Sequence, residues 1–256
     1  MSRVTAEMPA DVTSADLAPR THVLAVWGPT GAPGRTTVAI NLAAELAMTG
    51  QRTLLIDADT YGGTVAASLG LIDEASGIAA ACRLASQEKL TEAELARLVQ
   101  RVSLGNEHLS VLTGITRPGR WPELATDRIT AVVKAAREWF DVIVVDCGFN
   151  LEMDEEIASD MFSPRRNMAT HAVLKVADTI IEVASADPIG IARFIRAHQD
   201  LRELYPDSFT LAATTLTVLN RVRPGLVGLG YDGQPAAALE RFAGITPVVQ
   251  LPYDDR

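Results

Sequence analysis

Aromatic residues are scarce in this chain: Phe, Tyr and Trp together make up 5% of its 256 residues. A core with so few rings rests on aliphatic packing, and a hydrophobic content of 48% supplies it in ordinary globular proportion. Cysteine is scarcer still, with Cys82 and Cys147 alone. Two thiols build no disulfide framework, and a reducing compartment is the simpler setting. The histidines His22, His108, His171 and His198 lack the spacing of a metal-ligand set. No apolar run reaches the ~20 residues of a membrane-spanning helix, and the polar residues 1–20 hold no apolar segment of a secretory signal. Positive charge is also short: 23 Lys and Arg stand against 32 Asp and Glu, a formal net charge of −9. That balance argues against a broad nucleic-acid-binding face. The small clusters Arg165-Arg166 and Arg221-Val222-Arg223 read as solvated surface, as does Asp154-Glu155-Glu156. These absences leave a cytoplasmic globular protein as the expectation, with residues 1–20 as a flexible leader and residues 21–256 as a single domain.

What is present alternates regularly. Short continuous apolar runs predict buried strands at His22–Trp27, Thr53–Ile56, Leu109–Leu112, Asp141–Val145, Thr179–Ala184, Thr215–Leu219 and Pro247–Leu251. Helical patterns lie between them at Thr36–Met48, Gly77–Ala85, Thr91–Val102, Thr126–Phe140, Thr170–Ala177, Pro188–Leu204 and Gln234–Phe242. Strands that are apolar throughout, rather than at every second residue, imply burial on both faces. The expected architecture is α/β, a three-layer fold with a mainly parallel twisted sheet and helices on both sides. Ligands of such sheets sit beyond the carboxyl ends of the strands. Gly28, Asp57, Asp146 and Asn220 all fall there.

Gly28-Pro-Thr-Gly-Ala-Pro-Gly-Arg-Thr-Thr37 joins the first strand to the first helix. A phosphate-binding loop needs small residues so that backbone N–H groups can curl around phosphate oxygens, a cation beside them, and a hydroxyl for Mg2+. Gly31, Ala32 and Gly34 give the close approach, Arg35 the cation and Thr36 the hydroxyl, with Thr37 following. The helix N-terminus adds its dipole. The match to G-x-x-x-x-G-K-[ST] is imperfect, since Pro29 occupies the first glycine position and Arg35 the lysine position. Asp57 and Asp59 at a strand end could cap a helix or solvate a loop. Asp146 ends the most apolar strand, where a carboxylate is costly without a partner.

Together these segments resemble the MinD/ParA ATPases. Thr30–Thr37 is similar to their deviant Walker A loop, K-G-G-x-G-K-T-T. Thr53–Asp59 with Gly62-Gly63 resembles their second motif, and Asp141–Asp146 their Walker B strand. Leu219-Asn220-Arg221 and Leu251–Asp254 resemble the segments that hold the base. The wording of the loop and of Ser185-Ala-Asp-Pro188 is most like the TadZ/CpaE-like branch, which accompanies Flp/Tad pilus machinery.

The resemblance implies ATP and Mg2+ as cofactors. Gly31, Ala32, Pro33, Gly34, Arg35, Thr36 and Thr37 would hold phosphates. Thr36, Asp57 and Asp146 would serve the metal, Asp59 and Arg35 the chemistry, and Asn220, Arg221 and Pro252 the base. It also implies a nucleotide-dependent homodimer that positions a protein partner in a pilus or polar assembly. Two departures matter. Thr30 and Arg35 stand where the family keeps lysines, and a threonine cannot stabilise charge on a transferring phosphoryl group. Binding is therefore expected to survive better than hydrolysis. Phe149, after Cys147-Gly148, has no role in the family pattern. A cluster of the nitrogenase iron protein type would need paired thiolates, and Cys82 in an Ala-rich helical segment reads as packing instead. Family members continue beyond the point corresponding to Arg256, so the domain is expected to lack its C-terminal helix. Membrane contact is then indirect or through that missing segment. Two other readings stay open at this stage: a nucleotide-free scaffold, with Pro29, Ala32 and Pro33 blocking the loop, and a DNA-partitioning ATPase.

Overall fold

Valine and leucine are the commonest strand residues, and the branched valine side chain suits a pleated surface covered on both sides. The computed structural model describes residues 21–31, 33–71, 75–153, 165–205, 213–223 and 234–254. Its strands are β1 (His22–Trp27), β2 (Thr53–Ala58), β3 (Gln100–Leu104), β4 (Glu107–Leu112), β5 (Val142–Cys147), β6 (Thr179–Ser185), β7 (Thr214–Val222) and β8 (Val249–Pro252). The helices are α1 (Arg35–Met48), α2 (Val65–Ser68), α3 (Gly77–Ala85), α4 (Glu92–Leu98), α5 (Thr126–Ala136), α6 (Met168–Val176), α7 (Pro188–Leu204) and α8 (Gln234–Ala243).

The strands form one sheet in the order β3-β4-β2-β5-β1-β6-β7-β8. Every pair is parallel except β3–β4. Alternate residues of one strand enter different cores. Ile143 and Val145 of β5 pack with Ile78, Ile129 and Val173 from α3, α5 and α6. Val142 and Val144 pack with Val38, Ala39 and Ala43 of α1. This two-sided burial is why the strands read as unbroken apolar runs. A third cluster joins Ile191 and Phe194 of α7 to Leu219 of β7 and Leu239 of α8.

The predicted helix Thr91–Val102 is corrected. Only Glu92–Leu98 is helical, and Gln100–Leu104 is a strand. Val102 and Leu104 alternate with exposed Arg101 and Ser103, a period of two that the helical reading overran. Gly105, at φ 64, turns β3 back antiparallel on β4. β2 and β5 also run further than expected, carrying Asp57 and Asp146 inside the strands. The leader 1–20, Ala32 and Asp154-Glu155-Glu156 lie outside the described residues. Among the described residues, no helix is long and apolar enough to cross a membrane.

Candidate functional site

β1 sits between β5 and β6, so the loop leaving it opens over the middle of the sheet. Two of its glycines adopt backbone conformations that L side chains rarely take, Gly31 at φ 104 and Gly34 at φ 96. Gly34 precedes α1, which has no side-chain N-cap hydrogen bond. The first N–H groups of α1 are therefore not capped by a side chain and face the loop. Asn220, near the end of β7, reaches across and donates from Nδ2 to the Pro33 carbonyl at 2.8 Å. Any Cβ at Gly34 would stand 2.3 Å from that nitrogen.

Arg35 folds back on the loop. Its Nη1 donates to the carbonyls of Pro29 at 2.8 Å and Gly28 at 3.2 Å, while Nη2 lies 4.0 Å from Asp59 Oδ2. Among the described residues its buried Nε has no hydrogen-bond partner. Thr36, one residue on, donates from Oγ1 to Asp146 Oδ2 at 2.7 Å.

The register of β2 against β5 places Asp57 directly beside Asp146. Asp57 accepts from the backbone N–H of Asp59 and of Val65, each at 3.2 Å. A Cβ on Gly63 or Gly114 would come within 2.7 Å of its carboxylate. Asp59 accepts from the N–H of Tyr61 at 2.8 Å and of Gly62 at 3.4 Å. Asp146 is 1% exposed, and among the described residues its Oδ1 has no hydrogen-bond partner. Burial, and then the neighbouring Asp57 charge, push its carboxyl up to about 8, against the smaller lowering effect of the Thr36 hydrogen bond.

Phe149 acquires a role here. Its carbonyl accepts from Trp27 Nε1 at 3.3 Å. Its ring lies 4.8 Å from that of Tyr61, and the Arg35 guanidinium is 5.9 Å from its centre. Tyr61 is held further by its hydroxyl, which donates to Asn167 Oδ1 at 2.5 Å and accepts from Asn150 Nδ2 at 3.2 Å. The Arg166 guanidinium covers the Tyr61 ring at 4.0 Å and donates to the Thr60 carbonyl. Tyr61, Asn150, Arg166 and Asn167 thus fix the loop that carries Asp59. They come from three separate segments, and no local pattern in the sequence marks them.

The structure brings together Gly31, Pro33, Gly34, Arg35, Thr36, Asp57, Asp59, Asp146 and Asn220. Thr30 and Thr37 are exposed on the loop and the first turn of α1. Arg221, at φ 61, and Pro252 are exposed near the ends of the paired strands β7 and β8. Among the described residues, no three His, Cys, Asp or Glu side chains form a metal cage. The donor set fits a different metal chemistry. Mg2+ binds through one or two carboxylates and completes its shell with phosphate oxygens and water. The Thr36 hydroxyl and the partnerless Asp146 Oδ1 suit that arrangement beside a loop with the backbone of a phosphate cradle.

The model of the family described as an AAA domain matches residues 21–204. Two curated iron–sulfur cluster carrier proteins match in part. That of Deinococcus radiodurans is 51% identical over 49 residues, 19% of this chain and 14% of that protein. That of Synechocystis sp. is 33% identical over 106 residues, 40% of this chain and 29% of that protein. The matched stretches thus span less than a third of either relative's length. Among solved structures, the ParA family ATPase of Chlorobium tepidum superposes with a TM-score of 0.68 at 16% identity, covering 93% of this chain and 86% of that one. The septum site-determining protein MinD of Pyrococcus horikoshii, complexed with Mg-ADP, gives 0.64 at 18% identity, covering 91% and 82%. With the family match running from β1 to the end of α7, this chain belongs to the AAA domain family and has the fold of the MinD/ParA P-loop ATPases.

Proposed function

We propose that this chain binds ATP with Mg2+ on the Gly28–Thr37 loop and works as a localisation switch of the MinD/ParA kind, with weak or absent hydrolysis. The observation that carries the reading is the Thr36–Asp146 hydrogen bond of 2.7 Å next to a buried, partnerless Asp146 Oδ1. A hydroxyl and a buried carboxyl group meet there at the mouth of a glycine loop, and these two groups would hold a divalent cation.

In this reading the backbone N–H groups from Gly31 to Thr37 orient the phosphates. Thr36 and Asp146 hold the metal, with Asp57 beside them. Bound Mg2+ supplies charge neutralisation on the phosphate oxygens. Arg35 braces the loop through Gly28 and Pro29 and leans toward Asp59. Asp59, fixed by Tyr61 and Gly62, orients water. Asn220, Arg221 and Pro252 are given to the base, with Asn220 also bracing the loop through Pro33. Thr30 brings no charge, so the transferring group is poorly stabilised and turnover is slow. Two copies meeting over this face would form a nucleotide-dependent dimer that recruits a protein partner. A partner in a Flp/Tad-type pilus machine is supported only by the wording of Thr30–Thr37 and Ser185–Pro188.

Iron–sulfur carriage, the activity named for the partial relatives, is not carried over. Cys82 and Cys147 are both buried, and burial pushes the Cys82 thiol up to about 12 and that of Cys147 well above the ordinary thiol value. Neither offers the thiolate that a cluster needs.

The test is equilibrium binding of ATP with and without Mg2+, followed by turnover and solution mass. Mg2+-dependent affinity, turnover well below ordinary P-loop ATPases and an ATP-dependent doubling of mass are expected. Absence of nucleotide affinity overturns the switch, and brisk turnover overturns the weak-hydrolysis part of the proposal.

A further inference from the structure

The loop carries one cation of its own, and that cation is committed. Arg35 spends Nη1 on two loop carbonyls and faces Asp59 with Nη2. Thr30, at the exposed tip, is uncharged. A polyanionic ligand seated in this loop would meet little positive charge from the loop's own side chains.

A second guanidinium arrives from elsewhere in the fold. α7 is firmly held at its start. Asp187 caps it by accepting from the N–H of Gly190 at 2.9 Å, Pro188 opens the helix, and Ile191 and Phe194 are buried against Leu219 and Leu239. Arg193, the residue before Phe194, is exposed and directed at the loop. A Cβ on Gly31 would stand 2.5 Å from Arg193 Nη1 and 3.6 Å from its Cζ. The guanidinium therefore fills the space that a side chain at position 31 would take. Arg193 also lines a groove of about 560 Å³ with Pro29, Thr30, Phe149 and Arg196. Asp200 and Glu203 line the same groove, yet Arg193 forms none of the ion pairs found among the described residues.

We infer that Arg193 is a second phosphate-binding cation of this site, supplied by α7 to the outer rim of the loop. The planar fork of a guanidinium suits paired phosphate oxygens. Gly31 is glycine for two reasons: its φ of 104 and the room its missing side chain leaves for Arg193. The inference rests on the reading that the loop binds a nucleoside triphosphate, and it adds the residue that reads the outer phosphates.

The test is equilibrium titration of ATP and AMP against the full chain, its R193A, R193Q and R193K variants, and R97A on α4 as a control outside the groove. R193A and R193Q should weaken ATP roughly tenfold or more, as expected for a lost charge-assisted contact, and leave AMP nearly unchanged. R193K should recover part of the loss, R97A should stay near wild type, and the ATP defect should shrink as salt rises. Melting temperatures without nucleotide should not move, because the side chain is exposed. Wild-type ATP affinity in R193A and R193Q, or an equal loss for ATP and AMP, overturns the assignment while leaving nucleotide binding intact. A wild-type chain with no ATP affinity overturns both.

Discussion

β5 carries an aspartate at each end, and the two live in opposite conditions. Asp141, just before the strand, accepts from Arg52 Nη2 at 2.6 Å and from the Arg52 backbone N–H at 2.8 Å. The Arg52 side chain holds its carboxyl below the usual range. Asp146, inside the strand's far end, is pushed the other way by burial and by Asp57. The contrast extends along both edges of the sheet. At the amino ends of the strands, Asp178 accepts from the Val23 N–H at 2.8 Å and pairs with Arg137 at 2.9 Å, and the Thr21 hydroxyl meets the carbonyls of Arg137 and Phe140. At the carboxyl ends, Asp146 Oδ1 and Arg35 Nε are buried without partners among the described residues. The amino-end edge is largely finished by the chain itself, with the buried Thr215 hydroxyl of β7 the unpartnered group there among the described residues, whereas the unpartnered groups at the carboxyl-end edge lie around the glycine loop. Polar groups are buried unsatisfied at a cost, and under the proposed function a ligand at the loop would offset that cost.

The largest expected effect comes from Asp146→Asn. It should lower Mg2+-dependent ATP affinity roughly 10–100-fold, the usual range for a lost metal-supporting group, in a chain that still unfolds cooperatively. Titration of ATP with and without Mg2+ checks this, and unchanged metal dependence would break the contrast between the two edges.

A second effect is on pH. The folded carboxyl of Asp146 sits at about 8, above its ordinary 3.8. The folded state therefore holds its proton over a range in which the unfolded chain has released it. Stability from this group is full below about 3.8 and is lost as pH rises toward about 8. Thermal unfolding without nucleotide should show D146N gaining on wild type between pH 5 and pH 8, whereas parallel curves would remove Asp146 as the strained group.

The smallest effect belongs to Asp141→Asn. Its carboxyl is lowered, so its contribution is present above the ordinary carboxylate value and disappears as pH falls through the folded one. The Arg52 partner is solvent-exposed and the pair is screened. A slight fall in melting temperature at pH 7, vanishing at low pH, with ATP affinity untouched, is the expected result. A loss of ATP affinity would mean that the two edges are not separate in function.

Much of this was legible along the chain. The runs His22–Trp27, Asp141–Val145 and Thr179–Ala184 are strands because two-sided burial keeps their interiors almost wholly apolar, and the exception, Glu182, is buried against His198. The loop from Gly28 to Thr37 could be located because its small residues are consecutive and stand between a strand and a helix. The hairpin of β3 and β4 was obscured because its apolar positions are few and follow a helical segment without a break. Phe149, Tyr61, Arg166 and Arg193 were silent because each acts on a residue far away in the chain. A ring or a guanidinium carries no local period that announces such a contact.

By itself the sequence determined the α/β alternation, the parallel sheet and the loop with its three carboxylates, since all of these follow from local pattern and short spacing. Only the tertiary structure decided the rest. It set Asp57 beside Asp146 through strand register, and it brought Asn220 to Pro33 and Arg193 to Gly31. The physical reason is that strain at Asp146 and charge at the loop's rim are properties of neighbours in space. Those neighbours are fixed by how the strands order themselves in the sheet and by how α7 is anchored to it.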